Sequence, residues 1–394
     1  MAIRKLKDNI YSVGSIDWDR RLFDELIPLP NGTSYNAYII KADSKNILID
    51  TVDPTKKDEL INNLKELKIE KLDYIISHHS EQDHSGSIPD ILEIYNEAKV
   101  ITNDKGKELL KLHLHIDDEK FHLIKDGETL KIGNKSFKFI FTPWVHWPET
   151  FVTYLIEDKI LFTCDFFGSH IATSSLYVDD YSKAEESAKR YYAEIMMPFR
   201  NIIVKNIEKL SDLKIEIIAP SHGYIYNKPE FIINLYKDWI SDRVKNVVTV
   251  IYVSMHGSTK KMVDYLVNKL IEKNVEVKRF NMSNSDLGEI AISLVDSATV
   301  ILGTSTVLTG PHPLALYVTY IMNALKPKTK ILGLIGSYGW GGQTINIIKG
   351  LISNLKVDLI EPVLIKGDPT EEDYKLIDKF VDNIYFKHKE LNLL

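Results

Sequence analysis

The feature that most constrains this chain is a repeat in its first half, where metal-ligating residue types follow strand-like apolar runs. The run at residues 72–77 is rich in β-forming residues and ends just before the segment His-x-Glu-x-Asp-His. The run at residues 137–141 alternates Phe with other residues, as a strand with two distinct faces does. Similar runs at residues 159–164 and 215–221 precede the remaining candidates. The seven candidate ligands are His79, Glu81, Asp83, His84, His146, Asp165 and His222.

The chemistry of these seven side chains indicates a metal centre. Imidazole nitrogens and carboxylate oxygens suit divalent first-row metals, and a set of this size accommodates two ions more naturally than one. A metal site needs its ligands to converge at one rim, and residues that follow strand ends can do so. The alternative for each residue alone is a surface or capping role; Asp83 and His84, for example, could precede a helix that is capped by Ser87.

The ligand pattern resembles the metallo-β-lactamase superfamily, in the variant seen in flavodiiron proteins. Zinc hydrolases of that superfamily carry His where this chain has Glu81. The carboxylate makes the ligand set harder and more anionic, which suits iron. The resemblance implies one iron held by His79, Glu81 and His146, a second held by Asp83, His84 and His222, and Asp165 as the bridge between them.

Two further residues are candidates for the catalytic pocket. His170 follows Asp165 by five residues, and the resemblance implies a place beside the open coordination positions. Tyr192 is the second candidate, as a residue that lines the pocket. The alternatives are an ordinary loop histidine and a core aromatic residue. His78 is next to a ligand, but side chains alternate along a strand, so we expect it to face the other way.

The second half of the chain begins with an apolar strand at residues 247–253, followed by a hydroxyl-rich turn and an amphipathic helix. A turn of this kind at a helix N-terminus can cradle a phosphate with backbone N–H groups and hydroxyls. The segment contains no Gly-Lys-Ser/Thr, Gly-x-Gly-x-x-Gly or Gly-x-Ser-x-Gly motif, which disfavours a nucleotide triphosphatase, a dinucleotide fold and a serine hydrolase. The predicted phosphate-loop residues are Ser254, Met255, His256, Gly257, Ser258 and Thr259.

Four more strand candidates, at residues 275–280, 298–303, 331–336 and 359–365, alternate with helical stretches. This alternation predicts a doubly wound parallel sheet of five strands, which binds its ligand beyond the carboxyl ends of the strands. The second half is similar to flavodoxin, and two further strand-end loops match those that enclose the ring of FMN. Their predicted FMN-binding residues are Ser305, Thr306, Leu308, Thr309, Gly310, Ser337, Tyr338, Gly339, Trp340 and Gly341.

Together the two resemblances cover essentially the whole chain and imply the domain order of flavodiiron proteins. We expect a metallo-β-lactamase-like αββα sandwich at residues 1–245 and a flavodoxin-like domain at residues 246–394. The implied function is an oxidoreductase that passes electrons through FMN to a non-haem diiron centre and reduces dioxygen to water, nitric oxide to nitrous oxide, or both. The alternatives are a zinc-dependent hydrolase and an electron carrier whose diiron site is disused.

Composition restricts the classes of partner that this chain is expected to bind. The formal net charge is −6 and no basic block stands out, which disfavours nucleic acid. The single cysteine, Cys164, excludes structural disulfides within the chain and a rubredoxin-type iron site, so the resemblance implies a separate donor such as rubredoxin or another reduced carrier. No apolar segment reaches membrane-spanning length, and we expect a cytoplasmic protein. The resemblance also implies a head-to-tail homodimer or a dimer of dimers.

Overall fold

The computed structural model describes residues 3–394, which form two compact units. One unit contains the residues up to Tyr192 together with Phe199–Ile240, and the other contains Ala193–Pro198 with Ser241–Leu394. The boundary between residues 245 and 246 stays a prediction; the first strand of the second unit begins at Lys245. Among the residues described, no helix combines the length and the apolar character needed to cross a membrane.

The first unit is built on two large sheets. The first sheet has seven strands in the order β1-β2-β7-β8-β9-β10-β11, and the second has five in the order β12-β13-β14-β15-β16. Two short pairs, β3 with β6 and β4 with β5, lie outside them. The strands are β1 Arg4–Lys7, β2 Ile10–Ser12, β3 Ser15–Asp17, β4 Leu22–Phe23, β5 Ile27–Pro28, β6 Thr33–Tyr35, β7 Tyr38–Ala42, β8 Lys45–Ile49, β9 Tyr74–Ile76, β10 Lys99–Thr102, β11 Phe121–Leu123, β12 Thr129–Ile132, β13 Lys135–Phe141, β14 Phe151–Leu155, β15 Ile160–Cys164 and β16 Ile217–Pro220.

Strand alternation places one core between the sheets and a second core outside them. Ile47 and Ile49 of β8 face the other sheet and pack with Phe137 and Phe139 of β13. Leu48, between them, faces outward into a cluster with residues of the helices. Both faces of the first sheet are therefore buried, which explains why its strands read as continuous apolar runs.

Helices cover the outer face of that first sheet, as the αββα prediction requires. Leu60 and Leu64 of one helix and Leu110 of another belong to the outer cluster. This confirms the predicted sandwich. The helices of the unit are α1 Lys57–Glu66, α2 Gln82–Ser85, α3 Ile88–Ile94, α4 Asp104–Leu114, α5 Tyr181–Tyr191, α6 Arg200–Leu210 and α7 Pro229–Ile240. Short 3₁₀ turns lie at Pro54–Lys56 and Asp118–Lys120. A π-helical turn at Tyr192–Met196 and a 3₁₀ turn at Met197–Phe199 cover the segment Ala193–Pro198, which is part of the other unit.

The second unit is a parallel sheet in the order β18-β17-β19-β21-β22, with β23 also paired to β21. Its strands are β17 Lys245–Tyr252, β18 Glu276–Asn281, β19 Ser297–Val307, β20 Gly310–Pro311, β21 Ile331–Tyr338, β22 Asp358–Leu359 and β23 Val363–Lys366. Its helices are α8 Ser258–Glu272, α9 Leu287–Asp296, α10 Pro313–Leu325, α11 Thr344–Leu351 and α12 Glu371–Glu390.

Both faces of this sheet carry helices, which is the doubly wound arrangement. Val248 and Val250 of β17 pack in one cluster with Leu266 of α8 and Phe380 of α12. Thr249, between them, points the other way and hydrogen-bonds Ser293 of α9 at 3.1 Å. The predicted doubly wound parallel sheet is confirmed.

One predicted strand is not continuous. Residues 359–365 were expected to form a single strand, whereas β22 ends at Leu359 and β23 begins at Val363. Pro362 lies in the gap, and proline has no N–H to donate to a ladder. Both pieces still pair in parallel with β21, so the position of this strand in the sheet is unchanged.

Candidate metal centre and flavin pocket

The seven predicted ligands meet at one edge of the first unit. His79 and Glu81 lie in the loop after β9, and His146, Asp165 and His222 follow β13, β15 and β16 in the chain. Asp83 and His84 lie on the one-turn helix α2 rather than in an open loop. Three groups of possible ligand atoms lie close enough to hold an ion. The seven predicted ligands divide between two of them, with His79, Glu81, His146 and Asp165 in one and Asp83, His84 and His222 in the other. The third group combines His84 and Asp165 with Cys164.

Asp165 faces both groups, with a different oxygen toward each. Its Oδ2 lies 3.5 Å from His79 Nε2 and 3.4 Å from His146 Nε2. Its Oδ1 lies 3.0 Å from His84 Nε2 and 3.4 Å from His222 Nε2. A carboxylate in this position can bind one ion with each oxygen, so the geometry suits a bridged pair of metals.

Unpaired polar atoms show that the residues present fit such a pair. Both carboxylate oxygens of Asp83, both of Asp165, and His84 Nε2 are buried with no hydrogen-bond partner among the described residues. A buried carboxylate that accepts no hydrogen bond is costly, and coordination to a cation removes that cost. The set of carboxylate and imidazole donors, without a thiolate among the seven, fits iron.

Outer hydrogen bonds fix the histidine rings. His79 Nδ1 donates to Glu149 Oε1 at 2.7 Å, and His222 Nδ1 donates to the Ser34 carbonyl at 2.7 Å. His84 Nδ1 lies 3.6 Å from Cys164 Sγ. In all three residues the bonded Nδ1 leaves Nε2 directed at the site, as metal-ligating histidines require.

When no cation is present, the electrostatics within the cluster favour protonated histidines and ionised carboxylates. Burial would lower the pKa of His222, but Asp165 and Asp83 raise it to about 10. Burial would likewise lower the pKa of His146, and Asp165 and Glu81 raise it to about 9. Burial would raise the pKa of Asp165, but His84 and the other histidines hold it well below its usual range. The protons that the histidines hold would be replaced by bound metal.

His170 lies beside the cluster but outside both ligand groups. Its ring centroid is 4.9 Å from that of His222, and its Nδ1 is 2.9 Å from Thr33 Oγ1. Its Nε2 is buried without a hydrogen-bond partner among residues 3–394. Burial, followed by the nearby His222, holds the pKa of His170 well below its usual value. The ring is therefore neutral.

The structure corrects the prediction for Tyr192. The Tyr192 hydroxyl donates to the Trp239 carbonyl at 3.3 Å, and its ring contacts those of Tyr236 and Trp239. The tyrosine at the cluster is Tyr191, whose ring centroid lies 4.9 Å from that of His170. Burial is the main cause that raises the pKa of Tyr191 well above its usual value, and the negative charge of Asp165 adds to it. Adjacent helical residues point about 100° apart, so only one of the two can face the metals.

His78, expected to face away from the ligands, lies between the two sheets. Its Nδ1 donates to Asp50 Oδ2 at 2.8 Å, and its Nε2 is 2.7 Å from Thr153 Oγ1.

Three residues at the metal cluster, Glu149, Ser34 and Tyr191, were not predicted from the sequence. Only their position in the fold reveals them, because a hydrogen bond to a ligand leaves no spacing pattern in the chain.

In the second unit, the three strand-end loops surround a cavity of about 260 Å³. Ten predicted residues line it: Ser254, Met255, His256, Ser258, Ser305, Thr306, Ser337, Tyr338, Gly339 and Trp340. Gly367 also lines it and was not predicted. Six predicted residues lie outside the lining, namely Gly257, Thr259, Leu308, Thr309, Gly310 and Gly341.

The cavity has the features that a flavin phosphate and ring would need. The amides of Gly257 and Lys260 both donate to Ser254 Oγ at 3.2 Å, so N–H groups at the start of α8 converge on an oxygen. Gly257 has φ +98, a conformation that favours glycine. The Ser305 hydroxyl is buried without a partner among the described residues, and Trp340 is 78% exposed at the rim. These loops fit FMN.

A β-lactamase-type sandwich with a paired metal cluster, joined in one chain to a flavodoxin-type sheet, defines a class of metal- and flavin-dependent oxidoreductases. The family model described as ODP family beta lactamase matches residues 33–223, and the flavodoxin model matches residues 250–377. A nitric oxide reductase from Moorella thermoacetica is 36% identical over 362 residues, which is 90% of this chain and 90% of that protein.

Solved structures agree with this. Rubredoxin oxygen:oxidoreductase from Desulfovibrio gigas superposes with a TM-score of 0.96 at 30% identity, over 99% of both chains. The flavodiiron protein from Giardia intestinalis superposes with a TM-score of 0.93 at 27% identity, over 100% of this chain and 99% of that one. The chain belongs to the flavodiiron protein family.

Proposed function

We propose that this chain is a flavodiiron oxidoreductase that reduces dioxygen to water, nitric oxide to nitrous oxide, or both. The observation that carries the proposal is the division of the Asp165 oxygens between two ligand groups in a chain that also holds a flavodoxin-type cavity. The relatives include a nitric oxide reductase and a rubredoxin oxygen:oxidoreductase. The names of both relatives describe the reduction of a small gas.

In this proposal, His79, Glu81 and His146 would hold one iron, Asp83, His84 and His222 would hold the other, and Asp165 would be shared between them. The iron pair and FMN supply the redox chemistry when they are bound. Glu149 and the Ser34 carbonyl orient two of the ligand rings through the 2.7 Å bonds described above. The carboxylates would offset the positive charge of the ions, and five of the seven ligands are buried.

We assign His170 a role in orienting substrate. Its neutral ring is fixed at Nδ1 by Thr33, and the unpaired Nε2 is available to a molecule bound beside the metals. Replacing His170 by Ala should lower turnover while leaving the iron content unchanged. Full turnover in that variant would reject the role.

The three loops around the second cavity would bind FMN, with its phosphate at the start of α8 and its ring beside Tyr338 and Trp340. Reduced rubredoxin or another small carrier would supply the electrons.

We further propose a head-to-tail homodimer or a dimer of dimers, and a cytoplasmic location. Sedimentation of the loaded protein over a range of concentrations tests the assembly; a monomer that keeps full activity on dilution would exclude it.

The decisive experiment combines composition with reactivity. Iron, zinc and flavin are measured in the purified chain, and the anaerobically reduced protein is then mixed with dioxygen or nitric oxide in a stopped-flow instrument. We expect two irons and one FMN per chain, and fast reoxidation by at least one gas. Zinc without flavin would instead support the hydrolase alternative and overturn the proposal.

A further inference from the structure

Asn36 holds the loop that carries His222 by its backbone. The loop spans residues 220–223 at the end of β16, and we call it the His222 loop. The side-chain amide of Asn36 donates two hydrogen bonds to it, and the backbone N–H of Asn36 donates a third. The acceptors are the carbonyls of Pro220 at 3.0 Å, Gly223 at 3.0 Å and Ser221 at 2.7 Å. Three of the four carbonyls in the loop therefore accept from one residue.

Further hydrogen bonds to the His222 loop come from the same segment of the chain. The Tyr38 hydroxyl donates to the Pro220 carbonyl at 2.6 Å. The His222 ring donates from Nδ1 to the Ser34 carbonyl at 2.7 Å, and the Gly223 amide donates to Ser34 Oγ at 2.8 Å. The residues that make these bonds are buried, so water does not compete for them.

These contacts join the two sheets at the edge where the ligands lie. Asn36 lies between β6 and β7, and β7 belongs to the first sheet, whereas the His222 loop follows β16 of the second. Irregular backbone has no ladder partner for its carbonyls, and a buried carbonyl without a partner is costly. The Asn36 amide supplies the donors that a neighbouring strand supplies elsewhere.

The requirement at this position is specific to asparagine. Asn36 is 3% exposed, and its side chain donates in two directions from one atom, Nδ2. Among side chains of this size, only a primary amide offers two N–H donors. An aspartate of the same shape would face the two carbonyls with acceptors, and an alanine would leave both bonds unmade.

The ligand group that includes His222 depends on this junction. Its other members, Asp83 and His84, lie on α2, which follows β9 of the first sheet. The group therefore draws its ligands from both sheets, and His222 Nε2 lies 3.1 Å from Asp83 Oδ2. The other ligand group, around His79, has no member on the His222 loop. A shift of this loop would change the geometry around one ion directly and spare the other.

We propose that Asn36 is a positioning residue for one ion of the pair, the ion bound by Asp83, His84 and His222, which we call the His222 ion. Its amide fixes the His222 loop against the first sheet and so sets the distance between His222 and the ligands on α2. This inference rests on the proposed function, because it assumes that the cluster binds two metal ions. Asn36 touches neither ion and acts through the loop alone.

The test uses Mn²⁺ as the probe, on the full FMN-loaded chain after a chelator has removed its metal. The free-ion electron paramagnetic resonance signal gives the affinity of each binding step. The exchange-coupled signal of two adjacent Mn²⁺ ions shows when both positions are filled. Asn36→Asp keeps the shape of the side chain without its donors, and Asn36→Ala removes the side chain beyond Cβ. Tyr38→Phe removes one hydroxyl donor to the same loop and keeps the test decisive if the Asn36 variants do not fold.

Asn63→Ala is the matched control. Asn63 is also buried, and its amide likewise donates to two carbonyls, those of Val13 at 2.8 Å and Gly14 at 3.2 Å. Neither carbonyl belongs to a segment that carries a ligand. Thermal unfolding of every variant is followed in parallel, so that a loss of stability is distinguished from a loss of metal.

We expect both Asn36 variants to bind one Mn²⁺ as the unmodified chain does and the other about tenfold more weakly, with the coupled signal appearing only at higher Mn²⁺. Tyr38→Phe should show a smaller loss at the same ion. Asn63→Ala should unfold at a lower temperature and keep both affinities.

Unaltered affinity for both ions in the folded Asn36 variants would overturn the role of Asn36; if those variants do not fold, unaltered affinity in Tyr38→Phe would do so. An equal loss of both ions, or the same loss in Asn63→Ala, would also overturn it, because either result indicates general destabilisation. An unmodified chain that binds fewer than two Mn²⁺ ions would instead reject the metal centre of the proposed function, and the role of Asn36 with it.

Discussion

The metal cluster and the flavin cavity differ in how their polar atoms are arranged before any cofactor binds. In the cluster, the carboxylates of Asp83 and Asp165 are buried and lack hydrogen-bond partners among residues 3–394. In the cavity, the convergent amides of α8 already have a partner in Ser254, and Trp340 stands largely in solvent. The polar atoms of the metal cluster therefore need cations as partners, whereas the convergent amides of the flavin cavity are already paired before a ligand binds. Single substitutions should therefore have larger effects at the metals.

The largest effect is expected for Asp165→Asn. The substitution removes a negative charge and one of the two oxygens that face the ligand groups, so both ions lose a ligand. We expect less than one iron per chain and a fall of about a hundredfold or more in gas reduction, with FMN content unchanged. Metal analysis and stopped-flow kinetics measure this. Full iron loading in the variant would show that Asp165 does not bridge the metals.

A smaller loss is expected for Glu149→Gln, which acts through His79. The Glu149 carboxylate accepts a hydrogen bond from the His79 ring, and removing its charge makes that ring a weaker ligand. Partners of this kind contribute about 10- to 100-fold to metal affinity or activity. Competition with a chelator measures the iron affinity. Glu157→Gln is the control, because its carboxylate accepts from the Ser136 amide on an exposed turn; an equal loss in both variants would refute the assignment.

The sequence predicts the ligands better than the residues that support them. Each of the seven ligands belongs to a chemically distinctive type, and a strand-like run before each segment indicates a common edge. Glu149 has no such signal, because its partner is 70 residues away in the chain and glutamate is common on surfaces.

Two other differences have local causes. Whether Tyr191 or Tyr192 faces the metal cluster depends on how the last turn of α5 is rotated. The helix ends at Tyr191 and continues into a π-helical turn. Helical periodicity cannot identify the inward residue at such a junction. In the second unit, the apolar character of residues 359–365 indicates a strand, but the irregular backbone before Pro362 divides it. The apolar sequence pattern identifies the strand, but whether the strand is continuous depends on Pro362.

Buried histidines extend the comparison to pH. Burial lowers the pKa of a histidine. In the metal cluster, nearby carboxylates outweigh this effect of burial and raise the pKa of the histidines. His388 in the second unit instead has uncharged hydrogen-bond partners, Asn246 and Thr299. Burial lowers the pKa of His388 to about 4, below the value of about 6.5 in an unfolded chain. The unfolded state therefore binds a proton first as the pH falls. Stability present above pH ~6.5 is lost progressively down to pH ~4.

We expect this histidine to cost the second unit on the order of 3 kcal/mol over that range, because each unit of pKa difference corresponds to about 1.4 kcal/mol. Urea unfolding of the FMN-loaded chain, followed by the fluorescence of released flavin, measures the loss. In His388→Gln the dependence on pH should be shallower, whatever the stability of the variant at neutral pH. The same pH dependence in both proteins would mean that His388 is not responsible.

The smallest effect is expected for Trp340→Ala in the flavin cavity. The indole is 78% exposed, so the folded chain depends little on it, and its contribution is a stacking contact worth about 0.5–1.5 kcal/mol. We expect FMN to dissociate about 2- to 10-fold more readily, with iron content unchanged. Phe386→Ala, at an aromatic residue 59% exposed on α12, is the control and should leave the FMN affinity unaltered. A complete loss of FMN would mean that this cavity, like the metal cluster, depends on individual side chains.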